Sequence, residues 1–102
     1  MDTRTRHISD TLLDLYAGVT SADSEEGKVA AFNASMLRLN EVQAVDATQD
    51  DGGNLALDFT PLLVATSTCI HWLLDRLSSA TGRPEEELAF ELRRFLDDLI
   101  DE

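Results

Sequence analysis

Cysteine, proline, positive charge and long apolar runs are all scarce in this chain of 102 residues. Its single cysteine, Cys69, has no partner for an intramolecular disulfide, and its place between Thr68 and Ile70 in an apolar run reads as a small buried hydrophobe rather than a reactive thiol. A reducing, cytoplasmic location is therefore expected. No stretch approaches the roughly 20 uncharged apolar residues of a membrane span. Behind Arg4 and Arg6 the chain carries Asp10 and Asp14 where a signal peptide would have an apolar core, so neither an anchor nor a leader is expected. Lys and Arg number 8 against 20 Asp and Glu, a formal charge of −12. Contacts to nucleic-acid phosphates are normally made by Lys and Arg, so direct nucleic-acid binding is not expected. The same charge favours solubility and would steer the chain toward a basic partner.

What the chain does contain is apolar side chains at helical spacing. With 43% hydrophobic residues, its length suits one compact domain over residues 1–102. Ile8, Leu12, Leu15 and Val19 lay an apolar stripe along a helix from about Thr5 to Ala17, with Leu13 and Tyr16 widening it and Gly18 as a stop. Asp23 and Glu26 have the form of a capping box that opens a second helix. In that helix Val29, Phe32, Met36 and Leu39 take the inward spacing, while Lys28, Asn33, Ser35 and Arg38 suit the outer face.

Beyond Glu41 the helical period fades. Val42–Val45 and the alternating Leu55, Leu57 and Phe59 flank the turn-rich run 48–53, which predicts a short β-hairpin with one half-buried face. The competing reading extends the second helix to about Ala47 and leaves a flexible acidic loop. Thr60-Pro61 starts a third helix that runs to Ala80 or Thr81 and is apolar over so much of its circumference that it reads as the central one. Gly82 takes the left-handed position that ends it, and Pro84 restarts the chain. Glu85, Glu86 and Glu87 then suit the positive end of a last helix, whose stripe Leu88, Leu92, Phe95 and Leu99 is expected to pack inward. Asp97, Asp98, Asp101 and Glu102 oppose the dipole at the other end, which predicts fraying. The fold class is thus mainly α, about four helices packed as a small bundle, with a possible hairpin between the second and third.

Chemistry is harder to find. Cys69 and His71 lie two apart on a helix and point about 200° away from each other, so they cannot share a metal ion, and His7 is the only other histidine. His71 and Asp75 lie four apart on one face, the spacing of an imidazole held by a carboxylate, but Ser67, Thr68 and Ser78 offer a nucleophile without an oxyanion loop. The many carboxylates fall in a loop or at helix ends where water reaches them. Gly52-Gly53 is followed by no Lys-Ser or Lys-Thr, so it reads as a turn rather than a phosphate cradle. The Gly82–Pro84 break has the look of a helix-turn-helix joint, but residues 85–102 carry eight acidic residues and two arginines, a net of −6 that DNA would repel. No cofactor and no metal are expected, and no enzyme.

Two aromatics remain unexplained by a core. Phe90 shares the polar side of the last helix with Arg93, Arg94 and Asp97, and Trp72 sits on the third helix. Interfaces enrich aromatics and Arg, so Trp72, Phe90, Arg93, Arg94 and Asp97 are the expected partner-binding residues. The expected role is a non-enzymatic interaction domain that self-associates as a homodimer through its last two helices. The alternatives are an acidic inhibitor or antitoxin-like protein that blocks a basic site on a partner, and a small enzyme or ligand-binding protein using His71 and Asp75.

Overall fold

The computed structural model describes residues 2–100, with the backbone alone at Ile100. In chain order the elements are α1 (Thr3–Ser21), α2 (Glu25–Glu41), β1 (Asp46–Gln49), β2 (Leu55–Asp58), α3 (Thr60–Thr81) and α4 (Glu85–Ile100). The architecture is mainly α, four helices with a two-stranded antiparallel hairpin between the second and third. The fraying expected at Asp101 and Glu102 lies outside the described residues. The chain falls into two compact units, one up to Ser67 and one from Thr68 on, the division lying within α3.

In the first unit α1 begins at Asp2, whose carboxylate accepts from the Thr5 amide at 2.7 Å, and it continues through Gly18 to Ser21. Gly18 is not a stop. A Cβ at this position would lie 3.0 Å from Cβ of Ala31, so the missing side chain lets α1 and α2 approach closely. Ser24, rather than Asp23, caps α2 by accepting from the Gly27 amide at 3.1 Å. The two helices run antiparallel, since Asp14 on α1 meets Arg38 on α2 at 2.6 Å while Gly18 meets Ala31.

Small residues decide which faces meet. Ile8 and Thr11 on α1 are fully buried, Ser35 on α2 is buried, and Leu12, Leu15, Val19, Ala31 and Leu39 are half-buried. The stripe expected on α1 therefore faces inward, but Leu13 and Tyr16 do not widen it and are exposed. On α2 the expectation is corrected more strongly: Val29, Phe32 and Met36 are exposed and Ser35 is inside. The close contact of Gly18 with Ala31 brings the helices nearer than bulky side chains between them would allow, and Phe32 and Met36 lie outward.

Val42–Val45 is not a strand. Val42, Gln43 and Ala44 turn their amides back onto Arg38, Asn40 and Leu39 carbonyls at 2.9–3.1 Å and close the end of α2. Gln43 takes the left-handed conformation, φ +58°, that glycine usually supplies in such a cap. Ala44 is buried with Ile8 and Ala65, and Leu12, Leu39, Val42 and Leu62 pack against this small core. The Ala44 carbonyl accepts from the Leu62 amide at 2.9 Å, and Arg4 reaches both Asp46 carboxylate oxygens at 3.0–3.1 Å.

The hairpin exists, displaced four residues along its first strand, and pairs Asp46 with Asp58, Ala47 with Leu57, Thr48 with Ala56 and Gln49 with Leu55. Asp50 organises its turn: Oδ1 accepts from the Gly52 and Asn54 amides at 2.9 and 2.8 Å, and Gly53 has φ +81°. Those bonds from Asn54, first backbone and then side chain, hold the Asp50 carboxyl below its ordinary range. The half-buried face expected of the second strand is not covered. Leu55, Leu57 and Phe59 are exposed.

In α3 the expected end at Thr81 is found, with Gly82 at φ +74° and its amide on the Ser78 carbonyl at 2.9 Å. Asp58 accepts from the Thr60 amide at 2.9 Å, so the helix opens one residue before Pro61. Along its whole length Ala65 alone is buried, and Leu63, Val64, Ile70, Trp72, Leu73 and Leu77 are exposed. The picture of α3 as a covered central helix is therefore corrected. The same holds for α4, where Leu88 is buried but Leu92, Phe95 and Leu99 are not.

Candidate interaction surface

The residues expected to meet a partner all lie in the second unit. Trp72 is 60% and Phe90 58% exposed, and Arg93, Arg94 and Asp97 are exposed as well. Trp72 is occupied from one side. The Arg76 guanidinium lies over its ring, 5.6 Å from the centroid, a distance at which cation and ring attract one another. Arg76 was not among the expected residues, although its position four after Trp72 on a helix is the signal that marks it.

Phe90 and Asp97 project from the side of α4 opposite Leu88, Leu92, Phe95 and Leu99, as the 100° step of a helix requires. The apolar stripe of α4 is thus not on the side that carries Phe90. Leu92, Phe95, Leu96 and Leu99 on α4, with Ile70, Leu73 and Leu77 on α3, are all exposed. Their 3–4 spacing was plain in the sequence, which marks an apolar stripe but does not say what covers it.

The polar flank of α4 is ordered by Arg83. Its guanidinium bonds Glu87 at 2.7 and 3.1 Å and Glu91 at 2.7 and 3.0 Å. Hydrogen bonds donated to Glu91 and then to Glu87 raise the Arg83 pKa, and the bond from Arg83 lowers that of Glu91. Two of the acidic residues on α4 are therefore already engaged. Ser78 donates from Oγ to the Arg83 carbonyl at 2.6 Å, which fixes the joint between α3 and α4.

His71 and Asp75 are both exposed on α3, and Cys69 is half-buried. Among the described residues, no three of the His, Cys, Asp and Glu side chains stand together as ligands for a metal ion, and no helix is long and apolar enough to cross a membrane. The first unit has an open apolar groove of about 300 Å³ along α1 and α2, lined by Leu12, Leu15, Tyr16, Val19, Thr20 and Phe32. A second hollow of about 230 Å³ lies beside Met36, Leu39 and Leu62. Both follow from the outward turn of Phe32 and Met36.

No protein-family model matches this chain, and no curated protein or solved structure is significantly similar to it.

Proposed function

We propose that the protein is a non-enzymatic interaction domain that associates with a second copy of itself through its last two helices. One observation carries this reading: the amphipathic α4 presents Leu92, Phe95 and Leu99 to solvent at 47–57% exposure. Apolar patches of this kind are rarely left open on soluble monomers.

A second reading, an acidic protein that blocks a basic site, draws on the net −6 of residues 85–102. It is weakened by Arg83, which already engages Glu87 and Glu91. Salt separates the two. Copies that each carry −12 repel one another, so self-association strengthens as salt screens the charge, while binding to a basic partner weakens. The test is sedimentation velocity of the full chain over a range of concentration and salt. The expected mass is twice the 11.3 kDa of one chain, with tighter association at higher salt. A monomer at every concentration refutes the proposal.

A further inference from the structure

The hairpin leaves the outer edge of β2 open. Asp50 donates its amide to the Asn54 carbonyl at 3.0 Å, and bonded pairs alternate with unbonded ones in an antiparallel ladder. The bonded pairs are therefore Asp50 with Asn54, Thr48 with Ala56 and Asp46 with Asp58. Leu55 and Leu57 belong to the intervening pairs, so their N–H and C=O groups point away from β1. No third strand takes them up, because the sheet has two strands only among the described residues. Leu55–Asp58 also contains neither the Lys nor the Pro that commonly guards a bare edge.

Side chains alternate along the strand, which gives its two faces different characters. Leu55 and Leu57 share one face and are exposed, and Phe59 continues their spacing. Ala56 and Asp58 take the other face, beside Thr48 and Asp46. Charge here is of one sign. Residues 46–58 hold Asp46, Asp50, Asp51 and Asp58, and residues 39–75 contain no Lys or Arg. Arg4 reaches in from α1, but its bonds go to Asp46 and the Gln43 carbonyl. A second copy of this hairpin would bring the same four carboxylates to the edge, where like charges oppose pairing. A basic strand brings the complement.

We propose that the outer edge of β2 docks an extended segment of a partner protein in which apolar residues alternate with Lys or Arg. The segment adds a third strand to the sheet. Its main chain exchanges hydrogen bonds with Leu55 and Leu57, its apolar residues lie beside Leu55, Leu57 and Phe59, and its cations lie on the face of Asp58. This surface belongs to the first unit and does not depend on self-association through the last two helices.

The experiment titrates the full chain, labelled with nitrogen-15, with the peptide acetyl-Lys-Val-Lys-Val-Lys-Val-Lys-amide. The Leu55 and Leu57 amides are expected to shift, and their exchange with solvent to slow. Methylating the valine nitrogens removes the donors that face β2 and should weaken binding about tenfold or more. Replacing the lysines by glutamate should do the same, and salt should weaken the lysine peptide. On the protein, Leu57→Pro removes the outward donor without removing a bond of the hairpin ladder. It should weaken binding about tenfold, while Leu57→Val stays within about threefold of the parent. Should Leu57→Pro disturb the Thr48 and Ala56 amides, the methylated peptide carries the same test on the unaltered protein. Unmoved Leu55 and Leu57 amides, shifts confined to the helices, or equal binding of the methylated or glutamate peptide overturns the proposal. Leu55 and Leu57 shifts that grow with protein concentration alone, without peptide, would give the edge to a second copy and overturn it too.

Discussion

Replacing Gly18 by alanine sets two effects of similar size against each other. Alanine in a helix interior is favoured over glycine by about 1 kcal/mol, so on propensity alone the variant would be more stable. The added methyl, however, would stand 3.0 Å from Cβ of Ala31, where two carbons prefer about 3.5–4.0 Å. The Ala31 Cβ is fixed to the backbone of α2 and cannot swing away. Relief requires the two helices to part by roughly 0.5 Å, the shortfall from that preferred contact. Overpacking of this kind costs about 1–3 kcal/mol, so the net expectation is a loss of about 1 kcal/mol. A domain of this size would melt about 4–8 °C lower. Thermal and urea unfolding followed by helical circular dichroism measure it. The double variant with Ala31→Gly removes the clash, so its loss should fall short of the summed single losses by at least about 1 kcal/mol. A Gly18→Ala variant that is more stable by the full propensity gain would refute the close approach.

Three further outcomes follow from single residues. Gln43→Gly should stabilise the chain by about 0.5–1 kcal/mol, because the left-handed backbone at φ +58° strains a residue with a side chain; a lower melting temperature would contradict this. The Asp50 carboxyl should titrate below its ordinary 3.8, so the stability tied to it is complete above about that pH and is lost as pH falls through the lower folded value; a carboxyl NMR midpoint at or above 3.8 would count against the Asp50–Asn54 turn. Arg83→Ala should let the Glu91 carboxyl rise toward its ordinary 4.5 in the same measurement, and an unmoved Glu91 would mean that the pairing does not persist in solution.

Element type was largely readable from the sequence because it depends on local signals. The 3–4 spacing of apolar residues, Thr60-Pro61, and Gly82 before Pro84 place helices without reference to the rest of the chain. Boundaries failed where a residue had two possible uses. Gly18 permits a helix to end or another helix to come near, and only the presence of Ala31 opposite decides for the second. Gln43 gives no sign of a left-handed cap, since Gly and Asn are the usual occupants, and this misplaced β1 by four residues. The face of α2 was misread for a related reason. Hydrophobicity points Phe32 and Met36 inward, but two helices that can touch through glycine, alanine and serine gain close contact along their length and turn the larger residues out.

The stripe of α4 was expected to pack against an internal core, but most of it is exposed. With the stripe of α4 assigned to an internal core, only Trp72 and Phe90 were left over to serve a partner. The second unit, however, holds only 35 residues from Thr68 on, and a body so small has too little interior to bury the apolar sides of two helices. Leu88 is enclosed and the remainder of the stripe is not. The same arithmetic explains why charge and apolar surface coexist on α4. The carboxylates carry charge that favours solubility, and Arg83 pairs with Glu91 at 2.7 Å.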